Sequence, residues 1–177
     1  MTSLPSGTAR PEREHIAEFE DMYAAGREPF DYTLRAVEWL RHELVADTAL
    51  RLAPRRVLDL GCGLGQISRR LVAPGRQVVA TDLSATAVAR ACRLFPDTAA
   101  AFLAGSALDL PFREAAFDVV VASDGLVSWH LNREQRATAL GEIRRVLRPG
   151  GTALLTEYIR GHQFDEFVAE VVTAGLR

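Results

Sequence analysis

An acidic residue followed by alternating glycines is the chemically most informative part of the sequence. Residues 57–65 read Val-Leu-Asp-Leu-Gly-Cys-Gly-Leu-Gly, an apolar run that carries Asp59 and then breaks into a glycine turn. Such a turn lets a ligand lie against bare backbone at the start of a helix. A second apolar run, 77–81, is followed by Asp82, which lies 21 positions after Gly61. Folds of this kind hold a ribose diol at that position, so we predict a nucleoside-containing cofactor.

The charge of Asp59 discriminates between such cofactors. A dinucleotide fingerprint reads G-x-G-x-x-G, whereas here the third glycine is Gly65 and Gln66 occupies the last glycine position. A carboxylate at Asp59 would repel a pyrophosphate. S-adenosylmethionine carries an ammonium and a sulfonium, and both favour a nearby anion. The sequence therefore favours S-adenosylmethionine over NAD or FAD. A glycine turn that only packs a helix against a strand is the structural alternative.

Composition limits the class of protein. A length of 177 residues fits one domain, and an apolar fraction of 48% is enough for one core. The net charge of −2 argues against a nucleic-acid partner, which would need a basic stripe. No apolar run is long enough for a membrane span and no signal pattern is present, so we predict a cytoplasmic protein with reduced cysteines. No metal site is predicted.

The spacing of apolar residues predicts two helices followed by alternating strands and helices. The first helix spans 12–25, with Ile16, Phe19 and Tyr23 at helical spacing, and the second spans 32–50, with Leu34, Val37, Arg41 and Leu44 along one face. Strands are predicted at 56–60, 77–81, 100–104, 117–122 and 152–158, and helices at 65–73, 84–94, 132–147 and 163–174. Strict alternation indicates an α/β fold with a doubly wound, mostly parallel sheet and right-handed crossovers.

Five segments in this order resemble the class I S-adenosylmethionine-dependent methyltransferases, most closely their small-molecule branch. They are VLDLGCGLG (57–65), VVATDLS (78–84), GSALDLPF (105–112), FDVVVASDGL (117–126) and LGEIRRVLRPGGTALLTEY (140–158). The resemblance implies a Rossmann-like S-adenosylmethionine-binding core over 51–177. It also implies an N-terminal tail and helical lid segment over 1–50, in which residues 29–32 are the lid candidate.

The resemblance also implies which residues bind the cofactor. The backbone of the glycine turn would cradle the methionine part, Asp59 would face its ammonium and Asp82 would hold the ribose. Leu83 would pack on the adenine. The family often has an acid after Gly105 that accepts from the adenine amine, and here that position is Ser106. The full set of cofactor-binding candidates is Asp59, Gly61, Cys62, Gly63, Gly65, Asp82, Leu83, Ser106, Ala107, Leu108 and Ser123.

Two residues are candidates for catalysis of methyl transfer to an N, O or C atom of a small molecule. His130 follows the fourth strand and titrates near neutrality, so it is the best general-base candidate, with a helix-capping histidine as the alternative. Tyr158 ends the fifth strand and could line the acceptor pocket or be structural. An amine acceptor would need no base, whereas a hydroxyl acceptor would.

The end of the sequence raises a second possibility for function. Family members usually carry an antiparallel β-hairpin after the last helix, and this chain stops at Arg177, where that hairpin would begin. The fifth strand would then be an open edge. A homodimer through that edge, a truncated chain, or a cover from the N-terminal segment would each explain it. The alternative function is an S-adenosylmethionine-binding pseudo-enzyme or partner subunit without independent activity. An NAD-dependent oxidoreductase, a nucleic-acid partner and a membrane partner are disfavoured.

Overall fold

The predicted alternation of strands and helices is confirmed, except that no helix lies among the described residues between the third and fourth strands. The computed structural model describes residues 12–28, 34–124, 126, 131–157 and 161–176. The helices are α1 (Glu12–Ala24), α2 (Ala36–Arg51), α3 (Ser68–Leu71), α4 (Ala85–Leu94), α5 (Arg133–Val146) and α6 (Gly161–Thr173). The strands are β1 (Arg56–Leu60), β2 (Gln77–Asp82), β3 (Ala101–Ala104), β4 (Phe117–Ser123) and β5 (Leu147–Thr156). The predicted helix 65–73 is shorter than expected, because residues 65–67 belong to the turn.

The five described strands form one parallel sheet in the order β3-β2-β1-β4-β5. β1 is central, with β2 and β3 on one side and β4 and β5 on the other, so the direction of winding reverses between β1 and β4. Ligands bind at such a switch point, outside the carboxyl ends of the strands. In this register Asp59 lies beside Ala80 and Leu60 beside Thr81. Both predicted acids, Asp59 and Asp82, therefore approach the same edge of the sheet.

Helices cover both faces of the sheet. On one face, buried side chains of β1 and β4 pack against α5 and α6; this cluster includes Leu58, Val120, Leu140, Ile143 and Phe167. On the other face, the alternate residues of the same strands pack against α2 and α3; this cluster includes Val45, Ala49, Val57, Leu71 and Val121. Successive strand residues point to opposite faces, which explains why the strands are apolar without interruption.

The predicted apolar face of α2 is wrong. Leu34, Val37 and Leu44 are 83%, 58% and 66% exposed. The buried side of α2 instead consists of Glu38, His42, Val45, Ala46 and Ala49. Apolar residues occur on more than one side of this helix, so spacing alone does not select the side that packs. Small residues allow a close approach to the sheet, and this brings Glu38 and His42 towards its carboxyl edge.

β5 begins earlier than predicted, at Leu147. Its first part contains Pro149, Gly150 and Gly151 and is irregular, because the register shifts between Phe117 and Val119 of the neighbouring β4. Regular pairing then runs from Val119 beside Thr152 to Ser123 beside Thr156. Among the described residues, β5 pairs with β4 alone and the last element is α6.

Candidate functional site

A cleft lies at the carboxyl edge of the sheet, where the loops after β1, β2 and β3 meet α1. All of the predicted cofactor-binding residues except Gly65 line this cleft: Asp59, Gly61, Cys62, Gly63, Asp82, Leu83, Ser106, Ala107, Leu108 and Ser123. Gly65 serves packing instead, because a Cβ atom there would lie 2.8 Å from the ring of Phe102. The structure thus brings together residues from four separate segments of the sequence.

The turn after β1 is shaped by glycine and fixed to the neighbouring strand. Gly61, Gly63 and Gly65 have φ angles of 74°, 51° and 77°, which favour glycine. The backbone nitrogens of Gly61 and Cys62 both donate to the carbonyl oxygen of Thr81, at 2.8 and 2.9 Å. Burial, reinforced by Asp59, raises the pKa of the Cys62 thiol well above its usual range. Cys62 is therefore a neutral thiol and a poor nucleophile.

Asp82 holds this turn from the end of β2. Its Oδ2 accepts a hydrogen bond from the backbone nitrogen of Gly63 at 2.7 Å, and its Oδ1 accepts one from the backbone nitrogen of Ser84 at 2.9 Å. The Ser84 hydroxyl in turn caps α4 by accepting from the nitrogen of Ala87 at 3.0 Å. Each carboxylate oxygen has two lone pairs, so each keeps capacity for a ligand hydroxyl. Burial raises the pKa of Asp82, and these hydrogen bonds oppose the rise.

Asp59 is a buried acid on the wall of the cleft. It is 1% exposed, and its Oδ2 accepts a hydrogen bond from the Ser68 hydroxyl at 2.5 Å. Burial raises the pKa of Asp59 to about 6; Ser68 opposes this rise, and the charge of Asp82 adds to it. A carboxylate in such surroundings gains from a nearby cation. The sequence did not point to Ser68, because its contact with Asp59 joins residues nine positions apart.

One face of α1 forms a wall of the cleft. Glu12, His15, Phe19 and Tyr23 line it and are spaced by three or four residues, as one helical face requires. Ile16, which was predicted to share a face with Phe19 and Tyr23, is 37% exposed. The Tyr23 hydroxyl lies 3.0 Å from the position of a Cβ atom on Gly63. α1 therefore covers the glycine turn directly.

α1 is attached to α4 by polar contacts. The Glu20 carboxylate accepts hydrogen bonds from the backbone nitrogen of Thr86, at 3.2 and 3.3 Å, and from its hydroxyl. These bonds lower the pKa of Glu20. Arg90 donates to the carbonyl oxygens of Tyr23 and Arg27 at 3.0 and 3.1 Å. The position of α1 over the cleft is thus specified by contacts with an element far away in the sequence.

A cluster of charged residues lies where β4 and β5 end. The Arg41 guanidinium of α2 pairs with Glu38 at 2.8 Å and with Asp124, and it donates to the Ser123 hydroxyl at 2.9 Å. Asp124 has a φ angle of 58°, a conformation that Asp tolerates better than most residues. Glu38 and Arg41 were not predicted as site residues. Their spacing of three on a helix is the only signal the sequence offers.

The predicted catalytic residues lie outside the described part of the structure. This holds for His130 and Tyr158 and for the lid candidate at residues 29–32, so their roles stay predictions. His42, which was not predicted, lines the cleft. Burial and the charge of Arg41 lower the pKa of His42 to about 4, so its imidazole is neutral near pH 7.

Metal ligands and membrane spans were both sought in the described ranges. No group of three or more His, Cys, Asp or Glu side chains there has the arrangement of a metal site. No helix in the same ranges has the length and apolar character needed to cross a membrane.

Together, the doubly wound sheet and the glycine turn held by Asp82 define an α/β domain with a nucleoside-cofactor site. Residues 57–151 match a family model described as a methyltransferase domain, and the chain belongs to this family. A demethylmenaquinone methyltransferase of Thermus thermophilus is 37% identical over 69% of this chain and 54% of its own length. The resemblance noted in the sequence is therefore confirmed.

Solved structures agree with this assignment. The N-methyltransferase NodS of Bradyrhizobium japonicum, in complex with S-adenosyl-L-homocysteine, has a TM-score of 0.65 at 25% identity, covering 79% of this chain and 71% of that chain. The [4+2]-cyclase SpnF has a TM-score of 0.77 at 20% identity, covering 98% of this chain and 75% of that chain; this similarity shows the fold alone. The chain spans between 40% and 54% of the length of the first curated relatives that it matches.

Proposed function

We propose that the chain is an S-adenosylmethionine-dependent methyltransferase that transfers a methyl group to an N, O or C atom of a small molecule. The observation that carries this proposal is the placement of Asp59 and Asp82 together at a glycine turn with bare backbone. No arginine is among the described residues that line the cleft, whereas five carboxylates are: Glu12, Glu28, Asp59, Asp82 and Asp124, of which Asp124 is paired with Arg41. This charge suits a cofactor with an ammonium and a sulfonium and repels a pyrophosphate.

The residues of the cleft fit the parts of this cofactor. When bound, S-adenosylmethionine supplies a methyl group already activated on a positively charged sulfur. Asp82 would accept from the ribose hydroxyls, since each of its oxygens keeps a free lone pair. Asp59 would favour the cationic groups, and the glycine turn would let the ligand approach the backbone. The helix α1 would exclude water, so that the chain contributes chiefly position and desolvation.

The need for a general base depends on the acceptor. An amine in its free-base form needs no proton transfer before reaction, whereas a hydroxyl does. Two described histidines, His15 and His42, border the cleft, and a pKa of about 4 makes His42 a weak base near neutral pH. For a hydroxyl acceptor we keep His130 and Tyr158 as the proposed catalytic residues. The name of the Thermus relative specifies demethylmenaquinone and that of NodS specifies only transfer to nitrogen, so the proposal stays at a small molecule.

The proposal includes the arrangement of the chain. We propose that residues 1–50 comprise an N-terminal tail and a helical lid segment beside a core at 51–177, and that two copies associate through the edge of β5. The proposed dimer is supported by the position of β5, which pairs with a strand on one side alone among the described residues. Light scattering tests it, because a monodisperse monomer with full activity would contradict the dimer. A cytoplasmic location also stays a prediction.

The central test is isothermal titration of the purified chain with S-adenosylmethionine, S-adenosylhomocysteine and NAD in parallel. We expect the first two to bind and NAD not to bind. A panel of amine and hydroxyl acceptors then follows, with formation of S-adenosylhomocysteine as the readout. Binding of the cofactor without transfer to any acceptor would favour the alternative of a partner subunit. Binding of NAD with similar or higher affinity would contradict the proposal.

A further inference from the structure

The first turn of α1 places a carboxylate against the loop that follows β3. The Glu12 carboxylate accepts a hydrogen bond from the Ser106 hydroxyl, and both residues line the cleft. The Ser106 oxygen also accepts from the backbone nitrogen of Leu108 at 3.0 Å. A hydroxyl has one proton, and here that proton is directed at Glu12. At this end of the cleft, the oxygen atoms that can accept a hydrogen bond from a ligand are therefore mainly those of the Glu12 carboxylate.

This carboxylate lies where the base of a bound nucleoside would extend. The backbone nitrogen of Gly105 donates to the carbonyl oxygen of Asp82 at 2.9 Å, so the loop after β3 starts beside the proposed ribose ligand. Leu83, Ala107 and Leu108 provide apolar surface in the same part of the cleft. A flat base between these side chains would direct one polar edge towards Glu12. The chemistry of Glu12 then selects which base is accepted.

We propose that Glu12 recognises the exocyclic amine of adenine, so that a residue of the N-terminal helix determines the base specificity of the cofactor site. This inference rests on the proposed function, because it assumes an adenosine-containing cofactor. A carboxylate accepts a hydrogen bond from an amine, and it repels the carbonyl oxygen that replaces the amine in hypoxanthine. Ser106 is neutral and its proton is already used, so Ser106 alone would not discriminate in this way.

The position of Glu12 is determined by the same contacts that attach α1. The pairs Glu20–Thr86 and Arg90–Tyr23 hold the helix on α4 two to three turns further along. Glu14 belongs to the same first turn but is exposed, and it is absent from the cleft lining. It shares the charge of Glu12 and its favourable interaction with the start of the helix. Glu14 is therefore the matched control for the effect of removing an acid from this turn.

The test compares binding of S-adenosylhomocysteine and S-inosylhomocysteine to the full chain by isothermal titration. We expect the wild type to prefer the adenosine compound by tenfold or more. Glu12→Gln should reduce this preference about 10- to 100-fold, because an amide can offer a donor to the inosine carbonyl and because a charge-assisted bond is lost. Glu14→Gln should leave the preference unchanged. Adding Ser106→Asp to Glu12→Gln should restore it, since an acid returns to the same place.

Other outcomes overturn the inference in distinguishable ways. If Glu12→Gln keeps the wild-type preference, or loses both ligands equally while remaining folded by circular dichroism, Glu12 only positions the helix and does not read the base. In both cases the proposed function stands. If the wild type binds neither compound, the proposed function fails and this inference fails with it.

Discussion

Asp82 and Gly63 are joined by a hydrogen bond of 2.7 Å from the backbone nitrogen of the glycine to Oδ2 of the acid. The other oxygen of Asp82 accepts from the nitrogen of Ser84 at 2.9 Å. One carboxylate thus fixes both the ligand-binding turn after β1 and the start of α4. These hydrogen bonds within the protein hold the turn in place, and such preorganisation lowers the entropic cost of binding.

Replacement of Asp82 should weaken cofactor binding. In Asp82→Asn the amide nitrogen would face a backbone N–H group, and the charge-assisted bonds to ribose would be lost. We expect S-adenosylhomocysteine to bind about 1–3 kcal/mol more weakly by isothermal titration. The control is Asp97→Asn, which changes an exposed acid after α4. This variant should bind S-adenosylhomocysteine as the wild type does. Unchanged affinity in Asp82→Asn would mean that β2 does not supply the ribose ligand.

The raised pKa of Asp59 should appear in the pH dependence of stability. Its pKa is about 6 in the folded protein and about 4 in an unfolded chain. Between these pH values the folded state binds more protons than the unfolded chain does. The contribution of Asp59 to the free energy of unfolding is therefore largest below pH 4 and is lost as the pH rises through 6. This loss of unfolding free energy should be up to about 3 kcal/mol. Urea unfolding of the wild type and Asp59→Asn across pH 4–7 checks this, since the variant should lack this decline.

The same ionisation should favour a cationic ligand. S-adenosylmethionine carries a sulfonium, whereas S-adenosylhomocysteine carries a neutral sulfur. As the pH rises through about 6 and Asp59 ionises, the affinity for the first should increase more than the affinity for the second. Isothermal titration at several pH values measures the ratio. A ratio that stays constant across this range would show that Asp59 does not sense the sulfonium, because the ammonium is common to both ligands.

Gly65 should tolerate substitution less well than Gly75. Their φ angles are nearly equal, 77° and 76°, so an alanine at either position should cost about 1–2 kcal/mol of backbone strain. A Cβ atom at Gly65 would lie 2.8 Å from the Phe102 ring, whereas at Gly75 nothing lies within 4 Å. Overpacking should add about 1–3 kcal/mol to the loss in Gly65→Ala. Equal unfolding free energies of the two variants would contradict the close packing of this turn.

The pair Arg136–Glu170 should contribute strongly to the docking of α6 on α5. Two hydrogen bonds of 2.8 Å join the side chains, which are 1% and 8% exposed. Arg136→Met leaves a buried carboxylate without its main partner, and should lower the free energy of unfolding by about 3–5 kcal/mol. Arg133, whose side chain is 79% exposed and 3.9 Å from Glu170, is the control. Arg133→Met should cost less than about 1 kcal/mol, and a similar loss in both variants would refute the role of burial.

The elements with local signals could be predicted. β1, β2, the glycine turn and the caps of α4 and α5 follow from neighbouring residues: Ser84 accepts from Ala87, and Asn132 forms a capping box with Gln135. The start of β5 was less well predicted, since the strand begins at Leu147 rather than at 152 and includes Pro149, Gly150 and Gly151 as an irregular part. β5 pairs with β4 on both sides of this irregularity, and the local sequence does not reveal that pairing.

The sequence by itself determined the fold class, the family and ten of the cleft residues, because glycines with positive φ and acids at strand ends have local requirements. Only the tertiary structure decided which side of α2 packs and which residues from distant segments complete the cleft. Glu12 meets Ser106 across 94 positions and Arg41 meets Ser123 across 82. Such contacts depend on how the helices lie on the sheet, and a helix with apolar residues on several sides leaves that choice to packing.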